Sequence, residues 1–75
     1  MEAAKLYKYL PAGITWLIER LPPVIQGHIN EIRLRRSGVL SVSLPEQNLV
    51  IQSGKGAYIC TDRDIDETVA YISRS

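Results

Sequence analysis

The spacing of apolar residues changes along the chain, and each change marks a different kind of element. In the first third, Leu6, Tyr9 and Leu10 share one helical face, and after Pro11 the set Ile14, Leu17, Ile18 and Leu21 recurs at i, i+3, i+4 and i+7. This pattern predicts two short amphipathic helices within about residues 3–21. The run "LPPV" at 21–24 stops the second, because each proline lacks an N–H and restricts the residue before it. The pattern leaves open whether 24–28 adds another helical turn.

From Ile29 the period falls to two. Ile32 and Leu34 point one way while Glu31, Arg33 and Arg35 point the other, as in a half-buried strand. Ser37-Gly38 supplies a turn, and Leu40, Val42 and Leu44 alternate with Ser41 and Ser43 in a second strand of the same hairpin. Pro45 ends it. "NLVIQ" at 48–52 predicts a third strand, "SGKG" at 53–56 a turn, and "AYIC" at 57–60 a fourth, with the pairing order left open. In the last segment Thr61 is a natural N-cap, Asp64 stands at the capping-box position, and Ile65, Val69 and Ile72 form one apolar stripe, predicting a helix over about 62–74. The expected architecture is α+β: N-terminal helices, a small and mostly antiparallel sheet of three or four strands at about 29–60, and a C-terminal helix packed on one face. The expected core comprises Leu17, Leu21, Ile32, Leu34, Leu40, Val42, Ile65, Val69 and Ile72.

Composition limits what such a fold can hold. With 75 residues, 45% of them hydrophobic and 23% charged, the chain accommodates one small globular domain and not two. The lone Cys60 has no partner for a disulfide, so stability must come from a modest apolar core, and a reducing cytosolic setting is expected. Its neighbours Tyr58 and Ile59 mark it as a packed strand residue rather than a reactive thiol. No run approaches the roughly 20 apolar residues that a bilayer requires, and charges at Glu2, Lys5 and Lys8 interrupt any signal-peptide core.

The residues with chemical potential mostly have structural explanations. Asp62, Asp64, Asp66 and Glu67 sit where the positive end of a helix favours carboxylates, and they lack the glycine and distal glutamate of a calcium loop, so no metal site is expected. "SGKG" misses the phosphate-loop spacing, with Leu49 and Gly56 where the first glycine and the hydroxyl should stand. His28 has no nucleophile or second base at a useful spacing, so no catalytic residue and no cofactor-binding residue is assigned. That leaves "EIRLRR", in which Glu31, Arg33, Arg35 and Arg36 are the candidate interaction residues. As a nucleic-acid surface it would set three guanidinium groups on a sheet face, but no aromatic falls between Trp16 and Tyr58 to stack bases, and a net charge of +1 creates no strong field. A solvated face, or one covered by another domain through arginine–carboxylate pairs, is the preferred reading, and no nucleic-acid partner is expected.

The run "LPPVIQGHINEIRLRRSGVL", then a short sheet, then "TDRDIDETVAYISRS", resembles the N-terminal region of the stage III sporulation protein AA family over roughly residues 17–75. "EIRLR" carries most of the likeness and the final helix the rest; the family's Gly and Pro soon after that phrase are replaced here by Ser37, Gly38 and Val39. The resemblance implies a parent that is a cytoplasmic P-loop ATPase using ATP and Mg, assembled as a homohexamer like the secretion ATPases. It also implies service to a mother cell–forespore channel of an endospore-forming bacterium, peripheral to the membrane on the mother-cell side. Residues 1–75 would then be the non-catalytic N-terminal domain of a longer chain, without the nucleotide motifs. Its implied partners are its own ATPase domain, neighbouring subunits and membrane channel proteins of the sporulation complex. The competing expectation is a free-standing nucleic-acid-binding module using Arg33, Arg35 and Arg36.

Overall fold

The structure is a computed structural model that describes residues 3–74. A 3-10 helix at Ala3–Tyr9 leads into α1 (Ala12–Glu19), and Pro22 precedes a short α2 (Pro23–Gln26) with proline in its first turn, where a missing N–H costs nothing. The prolines therefore start α2 as well as ending α1. One side chain locks these three pieces: the Gln26 amide donates to the Leu21 carbonyl at 2.8 Å and the Glu19 carbonyl at 3.2 Å, while its oxygen accepts from the Tyr7 hydroxyl at 2.8 Å. Carbonyls at the end of α1 and in the following turn, which have no partner within the helix, are thus satisfied by the next element.

The strands are shorter than the alternation predicts. β1 (Glu31–Arg33), β2 (Ser41–Ser43) and β3 (Asn48–Val50) form an antiparallel meander in which Ile32, Val42 and Leu49 stand directly opposite one another. β4 (Gln52–Ser53) and β5 (Gly56–Ala57) form a separate hairpin across Gly54-Lys55. The "SGKG" stretch is therefore a turn, tied by the Ser53 hydroxyl donating to the Gly56 carbonyl at 3.1 Å, with Gly56 at a φ of 112°. The third expected strand breaks in two at Ile51, whose backbone is shared between neighbours: its N–H bonds the Leu40 carbonyl at 2.8 Å, in register with the β2–β3 pairing, while its carbonyl accepts from the Tyr58 N–H at 2.9 Å. Leu40 in turn donates to Tyr58 at 2.9 Å, and Val39 bridges Ile59, so the segments 37–44, 48–53 and 56–60 each pair with both of the others.

The core lies between α1 and this sheet. Leu10, Ile14, Leu17 and Ile18 meet Ile29, Leu40, Val42, Ile51 and Cys60. Leu21, Ile32, Leu34 and Ile65 pack against that cluster from its margin. The expectation that Val69 and Ile72 belong to the core is corrected: they are 58% and 55% exposed. The helical residues before Pro22 already fill the inner face. The C-terminal helix α3 (Asp62–Ser73) reaches the core only through Ile65 and lies against the N-terminal 3-10 helix. Its start is as the sequence predicts: the Asp64 N–H donates to the Thr61 hydroxyl at 3.1 Å and the Thr61 N–H to the Asp64 carboxylate at 2.9 Å, a complete capping box.

The turn after β1 is tight. Gly38 N–H donates to the Arg35 carbonyl at 2.9 Å, Ser37 adopts a φ of 59°, and a Cβ on Gly38 would stand 2.9 Å from the Arg35 Cβ. Ser37→Gly removes a left-handed strain and should raise stability by about 0.5–1 kcal/mol, whereas Gly38→Ala forces a backbone shift and should lower it by about 1–3 kcal/mol. Urea midpoints that move in the same direction for both variants would contradict this geometry.

Candidate functional site

The candidate residues of "EIRLRR" are not gathered on one face. Period-two alternation puts Glu31 and Arg33 on the outer side of the sheet, exposed, with Ile32 turned inward. There the Arg33 Nε donates to the Glu31 carboxylate. β1 ends at Arg33, so Arg35 lies in the turn; its side chain is exposed and makes no ion pair among the described residues. Arg36 departs altogether. One guanidinium nitrogen reaches Asp62 at 3.0 Å and the other Asp66 at 3.2 Å, so this side chain fastens the β1–β2 turn to the first turns of α3. The expectation of three arginines on a strand face is therefore corrected, because the tight turn at 35–38 swings the third toward the helix. Both ion pairs are solvent-exposed and contribute little to stability.

Beside Arg33 the outer face is apolar. Arg33, Ser41 and Val50 form one cross-strand row, and two residues along from Ser41 comes Val39, paired with Ile59. Val39, Val50 and Ile59 are 37%, 38% and 50% exposed. The surface is thus a small aliphatic patch edged by Arg33, with Glu31, Ser43 and Asn48 in the next row. Sequence reasoning missed it, since Val39 and Ile59 read equally well as core. The signal was present in the alternation: Leu40 and Cys60 are the buried partners, so their neighbours must face out.

The other singled-out residues have local duties. Asp64 accepts from the Tyr58 hydroxyl at 2.6 Å as well as closing the capping box, and Arg63 pairs with Glu67 one turn on at 2.8 Å. The acidic residues of α3 are each held by a partner, and among the described residues no three metal-ligating side chains converge. Cys60 is 1% exposed and burial pushes its thiol pKa up, so it is packed as expected, although it lies outside the strands, one residue past the Val39–Ile59 bridge, because the expected fourth strand ends at Ala57. His28 Nδ1 lies 2.7 Å from the Val24 carbonyl, which assigns the proton to that nitrogen. Its ring lines a groove of about 320 Å³ with Ile25, Leu44, Pro45, Glu46 and Gln47, none of which is a nucleophile of the serine or cysteine kind. Trp16, 60% exposed, carries the Arg20 guanidinium 4.8 Å from its ring centroid. No described helix is long and apolar enough to cross a membrane. Neither a family model, a curated protein nor a solved structure matches the chain.

The Tyr58 phenol is pushed up to about 12 from 10.0, first by its hydrogen bond to Asp64 and then by burial. The folded chain therefore holds this proton more tightly than the unfolded chain. Its contribution to stability is intact below the ordinary phenol range and is lost as the pH rises through about 12. The gap in urea midpoint between the parent chain and Tyr58→Phe should accordingly be constant up to the ordinary phenol range and close between there and about pH 12. A gap independent of pH across that interval would show that the phenol does not donate to Asp64.

Proposed function

We propose that the chain is a non-catalytic assembly domain, the N-terminal part of a hexameric, secretion-like sporulation ATPase. Its partners in this reading are its own ATPase domain and the neighbouring subunits, with membrane channel proteins of the sporulation complex beyond them. It works in the cytoplasm, peripheral to the membrane on the mother-cell side. ATP and Mg belong to the rest of the parent and not to these residues. The resemblance carried by "EIRLR" supports the family. The observation that carries the assembly role is the outer sheet face, where Val39, Val50 and Ile59 lie exposed beside Arg33, with Arg35 in the adjoining turn free of ion pairs among the described residues.

Such a face suits a partner better than it suits water. Aliphatic side chains at the centre of a patch gain from burial, at roughly 25 cal/mol per Å² of apolar area. An arginine at the rim supplies a planar fork that reads carboxylates bidentately. The Glu31–Arg33 pair is local and exposed, so exchanging it for a carboxylate across an interface costs little. The other arginine of the phrase, Arg36, serves the fold by holding α3, which separates an interaction role for Arg33 and Arg35 from a structural one for Arg36.

The test uses the full product of the gene encoding this chain. Arg33→Ala with Arg35→Ala should shift its oligomer toward smaller species in native mass spectrometry. The same changes in the 75-residue chain should lower its melting temperature by no more than about 4 °C, as expected for exposed positions. An unchanged oligomer together with a strongly destabilised domain would overturn the proposal.

A further inference from the structure

A second surface carries chemistry that the arginine phrase lacks. Where α3 lies against the N-terminal 3-10 helix there is an open cleft of about 350 Å³, lined by Lys8, Tyr9, Tyr71 and Arg74. The sequence gives no hint of it, because the two tyrosines come from opposite ends of the chain and are brought together only by the packing of its first and last helices. Both rings are half-buried and both cations are exposed. The Lys8 ammonium sits 5.0 Å from the centroid of the Tyr9 ring. In a 3-10 helix residues three apart eclipse one another, so Lys5 stands in line with Lys8 and extends the positive edge.

Among the described residues the charge around this cleft is one-sided. The carboxylates of α3 lie in its N-terminal half and are engaged there: Asp62 and Asp66 by Arg36, Asp64 by Tyr58 and Thr61, Glu67 by Arg63. Among the described residues no carboxylate forms an ion pair with Lys5, Lys8 or Arg74. Cations at the C-terminal ends of two helices are favoured by the helix dipole alone. That preference accounts for Lys8 and Arg74 but not for the two tyrosines that line the cleft with them.

Cations interleaved with exposed ring faces are the combination that binds single strands, where phosphates meet the charges and unpaired bases stack on the rings. A duplex keeps its base faces covered, so it cannot use the rings. We infer that this cleft binds a nucleotide unit of single-stranded nucleic acid, with the backbone held by Lys8 and Arg74 and the base against Tyr9 and Tyr71. The site shares no residue with the proposed assembly face, so either can fail without the other.

The test is an NMR titration of the 75-residue chain with a deoxythymidine decamer at low salt, with thymidine monophosphate and inorganic phosphate as parallel probes. The decamer should produce saturable shifts at Lys8, Tyr9, Tyr71 and Arg74 and bind well above the monophosphate. Log affinity should fall against log salt with a slope of about −1.4, as the two phosphate contacts at Lys8 and Arg74 release their counterions. Tyr71→Leu should weaken binding by about tenfold or more without changing that slope, while the exposed variant Arg74→Gln should flatten it by about 0.7. The proposal is overturned if the decamer causes no saturable shift, if inorganic phosphate or the monophosphate reproduces its effect, or if the shifts fall on Arg33 and Arg35. It is also overturned if Arg74→Gln leaves both affinity and slope unchanged.

Discussion

Three backbone hydrogen bonds among Leu40, Ile51 and Tyr58 close on themselves: Leu40 donates to Tyr58, Tyr58 to Ile51 and Ile51 to Leu40. Through this ring, segments that each hold only two or three ladder residues become a closed unit in which every segment has two neighbours. Isolated hairpins of that length are marginal in water, so pairing each segment twice is what lets so small a sheet persist. The ring also decides which side chains face where. Leu40 and Ile51 are 0% and 2% exposed, and Val39, Val50 and Ile59, each one position from a ring residue, are turned outward by the period of two. The aliphatic outer face is thus a consequence of the junction.

Where local chemistry decides structure, the sequence was legible. The prolines at 22 and 23, the hairpin around Ser37-Gly38, the "SGKG" turn and the Thr61–Asp64 capping box each rest on residues within four positions of one another, and each is present. What depended on contacts between distant segments was not legible. Ile51 reads as one more residue of a strand until Leu40 takes its N–H and Tyr58 its carbonyl. The stripe of Ile65, Val69 and Ile72 has an ideal helical period, yet only Ile65 reaches the core, since Leu10, Ile14, Leu17 and Ile18 already cover the sheet. Arg36 shows the same limit within the candidate site: continued alternation would put it on the side of Ile32 and Leu34, and the turn at 35–38 carries it to α3 instead.

The charges follow from this architecture. The N-terminal half of α3 is held by Arg36 of the β1–β2 turn and by Tyr58, so the paired acids of that helix gather at its N-terminal end. The other end is left to Lys8, Arg74 and two tyrosines. On the sheet, Arg33 keeps a local partner that another carboxylate can replace, and Arg35 keeps none among the described residues. A chain with a net charge of only +1 therefore presents two distinct surfaces, one aliphatic with an arginine edge and one cationic with aromatic walls.

All of this depends on the junction at Leu40, Ile51 and Tyr58, and amide hydrogen exchange reads that junction directly. The account predicts that these three amide protons exchange together and are among the slowest in the chain, opening only when the whole domain unfolds. If any of the three exchanges as fast as the amide of Lys55 in the exposed β4–β5 turn, the ring is not closed, and the outer face built upon it loses its foundation.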